Sequence, residues 1–378
     1  MTNKQQRRRT PKISPLAFIL TLLFLLILAW LYEPDEPVIP LPAPQPAGVG
    51  GSGTIDYIFT TPSLVYPDRR GLRSNSPLLD AVIADVDRAR ASVDVAVFDI
   101  DLQDLGDALR RAERRGVRVR LVFDSENLED ARVAALAGEL EQAGIAVVTD
   151  GRQPFMHNKF IVIDETITWT GSWNMTENDT YRNNNNMLRF TDRQIASFYT
   201  QEFAQLHAGS FGAQKVSNAP RPVVVLGAAR VRIFFSPKDR MAGEIVEAIE
   251  QARRRVLFMT FSYTSDPIGD AMIARAQAGI AVQGVFERQN VRGTGSEFER
   301  LRAGGVDVLE DGNCYIMHHK VIIIDDRIVI TGSYNFTASA ETSNDESLLI
   351  IDDPTLAAAY VAEFDRLYAQ ATNPTRCG

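Results

Sequence analysis

Short apolar runs rich in β-branched residues alternate with helical periods along most of this chain. VDVAVFDI (93–100) and VRVRLVFD (117–124) read as strands, and LQDLGDALRRAERRG between them reads as a helix that stops at Gly116. A second helical period, LEDARVAALAGELEQAG, precedes the strand IAVVTD. The same order returns later in VLFMTFSY (256–263), DPIGDAMIARAQAGI, AVQGVFE, GSEFERLRAGG and VDVLED. Alternation of this kind predicts an α/β fold: two mixed, largely parallel sheets covered by helices.

The return is a duplication. MHNKFIVIDETITWTGSWN begins at Met156 and MHHKVIIIDDRIVITGSYN at Met317, and the pairs 157/318, 159/320, 164/325, 171/332, 172/333 and 174/335 are all 161 apart. Upstream, Gly106, Gly116 and Asp124 answer Gly269, Gly279 and Glu287 at an offset of 163. A period this long is a repeated lobe, because solenoid units are far shorter. The expected division is lobe 1 over 54–215 and lobe 2 over 216–378, a monomer holding an internal pseudo-dimer.

The pattern fails at the N-terminus. Lys4, Arg7, Arg8, Arg9 and Lys12 form a basic tail (1–12) ahead of the uncharged run ISPLAFILTLLFLLILAWLY (13–32), which is long enough to span a bilayer. A cleaved signal peptide is the rival reading, but the run is long for one and no small-x-small site follows it. An uncleaved single-pass anchor is therefore expected, with the tail cytoplasmic and the body extracytoplasmic. Residues 33–53 hold six prolines and then a glycine cluster, a linker composition. Five of the 40 basic residues and none of the 48 acidic ones precede residue 33, so the body has 35 against 48, a net −13. That is not the charge of a nonspecific phosphate-backbone binder. The two cysteines, Cys314 and Cys377, are too few for a disulfide framework and are read as incidental.

Strand geometry constrains the chemistry. His157 and Lys159, two apart, face the same way, as do His318 and Lys320. Asp164 and Asp325 are an odd number of residues from the histidines, on the opposite face, where a supporting role suits them. His319 likewise points away from His318. Gly171 and Gly332 allow close backbone approach, and Ser172, Asn174, Ser333 and Asn335 offer neutral hydrogen bonds. A metal site is disfavoured by the adjacent lysine cations, and neither lobe supplies a second same-face ligand, so no metal or cofactor is expected. His207 is read as structural, and Asn184 and Asn186 as part of a polar loop.

The doubled H-x-K-x-x-x-x-D-x-x-x-x-x-x-G-S-x-N resembles the phospholipase D superfamily over essentially all of 54–378. The resemblance implies an active site between the lobes and metal-free phosphodiester hydrolysis through a covalent phosphohistidine. By position, it makes His157 and His318 nucleophile and general acid. Lys159, Lys320, Asn174 and Asn335 become phosphoryl-oxygen ligands with Ser172 and Ser333 nearby, and Asp164 and Asp325 belong to the same motif. Many members carry a carboxylate after G-S-x-N. Lobe 2 has it as Glu346, whereas lobe 1 has Asn185 at that offset. In two-motif members the acid of one lobe can reach the histidine of the other, which would make Glu346 the support of His157, His157 the nucleophile and His318 the acid. The expected substrate is a phospholipid at the membrane. The alternatives are an endonuclease, with Arg152, Arg182 and Arg189 flanking the site, or a phosphatidyltransferase of cardiolipin synthase type.

Overall fold

The computed structural model describes residues 50–51, 54–217, 219–375 and 377. The basic tail, the apolar run and all of the linker except Gly50 and Gly51 lie outside the described residues. Among those described, no helix is long and apolar enough to cross a membrane.

Lobe 1 contains β1 (Gly50–Gly51), β2 (Ile55–Phe59), α1 (Pro77–Arg88), β3 (Ser92–Val97), α2 (Gln103–Arg114), β4 (Arg118–Phe123), α3 (Ala131–Gln142) and β5 (Ala146–Thr149). It continues with β6 (Lys159–Ile163), β7 (Ile167–Gly171), α4 (Glu177–Tyr181), β8 (Asn186–Thr191) and α5 (Arg193–His207). Lobe 2 repeats this as β9 (Val224–Leu226), β10 (Ala229–Phe235), α6 (Met241–Glu250), β11 (Arg255–Thr260), α7 (Asp266–Gln277), β12 (Ala281–Phe286), α8 (Phe298–Ala303) and β13 (Asp307–Glu310). It ends with β14 (Lys320–Ile324), β15 (Ile328–Gly332), α9 (Ala338–Thr342), β16 (Ser347–Asp352) and α10 (Pro354–Thr372).

The sheets run β1-β2-β8-β7-β6-β3-β4-β5 and β9-β10-β16-β15-β14-β11-β12-β13, the same order twice. Each is mixed but not largely parallel, which corrects the expectation. Only β3/β4/β5 and their counterparts β11/β12/β13 pair in parallel; every other neighbour is antiparallel. The turn after each motif strand fixes one of these antiparallel pairs in each lobe, β6/β7 and β14/β15. Asp164 and Glu165 have φ of 51° and 50°, and Asp325 and Asp326 have 53° and 58°, so two left-handed residues close each hairpin. A two-residue turn can return the chain only antiparallel.

Three apolar layers result. One outer core lies within each lobe, and a central core draws on both, joining Leu188, Tyr199 and Phe203 to Phe235, Leu349, Tyr360 and Phe364. The lobes also share backbone. Met156 bridges Asp345 and Asn184 bridges Met317, each a short parallel pairing across the pseudo-twofold. Cys314 and Cys377 form a disulfide with a Cα–Cα distance of 5.4 Å, so they are not incidental. The bond ties the C-terminus to the loop that precedes the second motif, a proximity that sequence separation alone conceals.

Candidate active site

The cross-lobe bridges explain how each motif histidine meets the opposite lobe. His157 N–H donates to the Asp345 carbonyl and His318 N–H to the Asn184 carbonyl, both at 2.9 Å. The next residue of each acceptor strand then faces the imidazole. His157 Nδ1 lies 2.7 Å from Glu346 Oε2, and His318 Nδ1 lies 3.0 Å from Asn185 Oδ1. The reciprocal contact inferred for Glu346 is therefore present. With Nδ1 held this way, each Nε2 has no protein hydrogen-bond partner among the described residues.

Ser172 and Ser333, nominated as substrate ligands, serve a different purpose. Ser333 Oγ donates to Glu346 Oε2 at 2.7 Å, and Ser172 Oγ donates to Asn185 Oδ1 at 2.8 Å. Both serines are fully buried and brace the side chains that hold the histidines. Asn174 and Asn335 are half-buried, and the Oδ1 of each has no partner, so these amides are free to meet a ligand. Gly171 and Gly332 sit where a Cβ would come within 2.2 Å of the Asn186 and Ser347 carbonyl oxygens. That close approach brings the strands bearing residues 185 and 346 against the G-S-x-N turn.

Lys159 and Lys320 are both buried and close enough for their charges to interact. Each Nζ donates to the carbonyl of its own motif histidine, at 2.8 and 2.7 Å. Burial lowers Lys159 to about 8, while carboxylates including Glu346 and Asp179 oppose the shift. Burial, then the charge of Lys159, pushes Lys320 well below its ordinary value. The histidines respond alike. Burial takes His157 down to about 4 and His318 to about 3, with each lysine adding to the effect and Glu346 or Asp179 resisting it. Burial and the lysines thus oppose the cationic form of both imidazoles, while the carboxylates at Nδ1 favour it.

Asp164 and Asp325 are corrected from site residues to structural ones. Asp164 accepts the N–H groups of Arg90, Ala91 and Ser92, and Asp325 those of Arg253, Arg254 and Arg255. They occupy the hairpin turns at the far end of the motif strands, roughly 15 Å from the lysines at ~3.3 Å per residue. Aspartate suits the left-handed turn and anchors the start of the neighbouring strand. The carboxylates that do support the motif are Asp124 and Glu287. They accept the N–H of Met156 (2.8 Å) and Met317 (2.6 Å), and burial raises them to about 6 and about 7.

Several further residues border the site. Asn183, Asn184 and Asn186 are buried along with Asn185, so Asn184 and Asn186 do not belong to a polar loop as expected. Asn184 accepts from Asn313 across the interface at 2.6 Å, and Asn186 meets His319 Nδ1 at 2.9 Å. Asp179 Oδ2 lies 3.4 Å from His318 Nδ1. Phe98 and Phe261, equivalent in the repeat, place rings 5.1 and 4.8 Å from His157 and His318, with the Lys159 and Lys320 ammonium groups 5.2 and 4.6 Å from the same rings. Their signal was the 163-residue offset within VDVAVFDI and VLFMTFSY. Arg152, Arg182 and Arg189 are each engaged by carboxylates: Asp345 and Asp150, Asp68, and Asp85 with Asp56. His207 stacks on Phe203, in keeping with a structural place.

Two related α/β lobes that bring duplicate His–Lys pairs into one cleft define a tandem-motif protein with a single composite site. The family model described as "Cardiolipin synthase, PLD-like domain" matches residues 82–207 and again 245–368, and the chain belongs to this phospholipase D-like family. Among curated relatives, it is 29% identical over 142 residues to the mitochondrial cardiolipin hydrolase of Chlamydomonas reinhardtii, covering 38% of this chain and 64% of that one. It is 31% identical over 153 residues to the phospholipase D of Rickettsia bellii, covering 39% and 76%. The solved phosphatidylserine synthase of Haemophilus influenzae superposes with a TM-score of 0.64 at 13% identity, covering 85% of this chain and 88% of that one. That likeness extends over both lobes and speaks to the fold alone.

Proposed function

We propose that this chain is a phosphodiesterase of phospholipase D type that hydrolyses a phospholipid through a covalent phosphohistidine. The observation that carries the reading is the pair of imidazoles, each fixed through Nδ1 from the opposite lobe with Nε2 unpartnered. His157 Nε2 attacks phosphorus and forms the N–P bond, the P–O bond to the headgroup breaks, and His318 protonates the leaving oxygen. Water then attacks phosphorus, its proton passes to His318, and the N–P electron pair returns to His157. Lys159, Lys320, Asn174 and Asn335 stabilise the charge on the non-bridging oxygens. Transfer to an alcohol instead of water, as in a phosphatidyltransferase, differs only in the acceptor.

A lipid substrate is supported by the environment of the site. The nominated arginines are neutralised, and the body carries net −13. Residues 61–76 have only 237–240 as their counterpart in lobe 2. This segment exposes Val65 (39%) and Leu72 (63%) near Arg69 and Arg70, a composition suited to an anionic membrane surface. Its base contacts the site, since Thr60 accepts Asn185 N–H at 2.8 Å. Membrane anchoring with the body extracytoplasmic fits the Cys314–Cys377 bond, which persists in oxidising compartments. An endonuclease is the second reading, favoured by the half-exposed rings of Phe98, Phe155 and Phe261 beside the histidines, where bases could stack.

The deciding experiment offers the purified body phosphatidylcholine, cardiolipin, single-stranded DNA and RNA in parallel, with EDTA present. Turnover of lipid alone is expected. Cleavage of nucleic acid without lipid turnover would transfer the proposal to the second reading, and activity recovered only on adding Mg²⁺ or Zn²⁺ would overturn the metal-free mechanism.

A further inference from the structure

We propose that Asp179 is the carboxylate partner of His318, relocated within lobe 1 to a place six residues before the position that Glu346 occupies in lobe 2. The inference rests on the phosphohistidine reading above. At the 161-residue offset, lobe 1 carries Asp179 and Asn185 where lobe 2 carries Ala340 and Glu346. The acid and the neutral residue have exchanged places. Asp179 Oδ2 lies 3.4 Å from His318 Nδ1, the nitrogen that the amide oxygen of Asn185 meets at 3.0 Å. Ala340, its counterpart, has no polar group to offer His157, and there Glu346 fills the need directly.

Asp179 is built into position. Thr176 caps α4 by accepting Asp179 N–H at 3.2 Å, and the Asp179 carboxylate accepts Asn174 N–H at 2.7 Å and Asn183 Nδ2–H at 2.6 Å. Burial alone would raise it, but His318 and these donors outweigh burial and hold it below the ordinary carboxylate range. It is therefore a fixed anion behind an otherwise amide-supported imidazole. In the first step His318 gives its Nε2 proton to the leaving oxygen, and in the second it takes one from water; the imidazolium occurs on both sides of this cycle. An amide can orient that ring but cannot stabilise its charge, whereas Asp179 can. Asp179 is accordingly a positioning and charge-balancing residue for the acid, and it removes the apparent asymmetry between lobes.

The test compares Asp179→Asn, Asp179→Ala and the double variant Asp179→Ala/Asn185→Glu, which transplants the lobe 2 arrangement. Leaving-group release is measured by rapid quench on two phosphodiesters that differ only in an alkyl or a p-nitrophenyl leaving group. Loss of acid assistance should cost Asp179→Asn about 10²-fold on the alkyl ester, which needs a proton, and leave the nitrophenyl ester within about threefold. The alkaline limb of the kcat profile should move to lower pH, and the double variant should recover most of the alkyl-ester rate. Equal losses on both esters with no recovery would make Asp179 merely structural and overturn the proposal, as would no loss at all. Should Asp179→Ala fail to fold, Asp179→Asn carries the test, because its amide oxygen can still accept Asn174 N–H. A wild type that forms no phosphoenzyme with either ester would overturn the underlying reading instead.

Discussion

His157 of the first lobe and Glu346 of the second meet at 2.7 Å across the lobe interface, Nδ1 to Oε2. Phosphorylation at Nε2 makes the ring cationic, and a carboxylate on the other nitrogen both fixes the tautomer and stabilises that cation. Glu346→Gln should therefore lower phosphoenzyme formation by about 10²-fold or more, a loss typical of a general-base or charge partner. Asn185→Asp should cost less, since Asp179 already stands beside that position. The check is to trap phosphoenzyme with labelled substrate and map the modified residue in each variant. Label on His318, or trapping that survives His157→Asn, would reverse the assignment of nucleophile and acid.

Gly171 and Gly332 mark where the site depends on backbone contact. A methyl group at either position would lie 2.2 Å from a carbonyl oxygen of the adjacent strand, Asn186 or Ser347. Neither carbonyl can yield without opening the β7/β8 or β15/β16 pairing. Each Gly→Ala change should cost about 3 kcal/mol or more by overpacking. Activity should also fall disproportionately, because the shifted strand begins next to Asn185 or Glu346. Urea unfolding together with kcat would show both; a folded variant with wild-type stability and rate would contradict the steric argument.

The legible part of this fold was what the repeat could carry. Residues that recur at a fixed offset, His157/His318 and Lys159/Lys320, pointed to a shared cleft, and Glu346 stood out because its counterpart was Asn185. Asp179 was not legible, because its significance lies in an exchange between two positions that are both ordinary when read singly. The same holds for Asn184 and Asn186, which look like part of a solvent loop until the second lobe supplies Asn313 and the Ile316 carbonyl to the one and His319 to the other. Sheet polarity is not legible in the sequence because apolar five-residue strands look alike in either direction. The left-handed pair at Asp164 and Glu165 decides it for β6 and β7.

The Cys314–Cys377 bond closes a loop of 63 residues that contains the second motif, its hairpin and α10. In the chain-entropy model, a loop of that length restricts the unfolded state by about 4 kcal/mol. Reduction, or Cys314→Ser, should lower the urea midpoint without changing the dependence on wild-type packing elsewhere. The neighbouring residue Asn313 bonds Asn184 at 2.6 Å, so a moderate loss of activity should accompany the loss of stability. Coincident unfolding curves with and without reductant would mean the bond constrains nothing that folding must order.

Stability should depend on pH through opposing contributions, which variants can separate. His157 titrates near 4 in the folded protein because burial disfavours its cation, against an ordinary value of 6.5. Between those values the unfolded chain binds the extra proton, so this histidine's contribution favours the native state at neutral pH and is lost as pH falls below about 6.5. A shift of this size corresponds to roughly 3 kcal/mol at the acid end of the window. Glu287 runs the other way. Burial raises it to about 7, so its protonated form is favoured in the fold, and its contribution is present below its unfolded value near 4.5 and lost as pH rises towards 7. The wild-type profile should consequently be shallow between pH 4 and 7. His157→Asn should flatten the acid side, so that the variant gains stability relative to wild type as pH drops, while Glu287→Gln should do so as pH rises. Thermal unfolding at half-unit steps across that range supplies the comparison, and variant curves parallel to wild type would show that neither group is titrating as its burial requires.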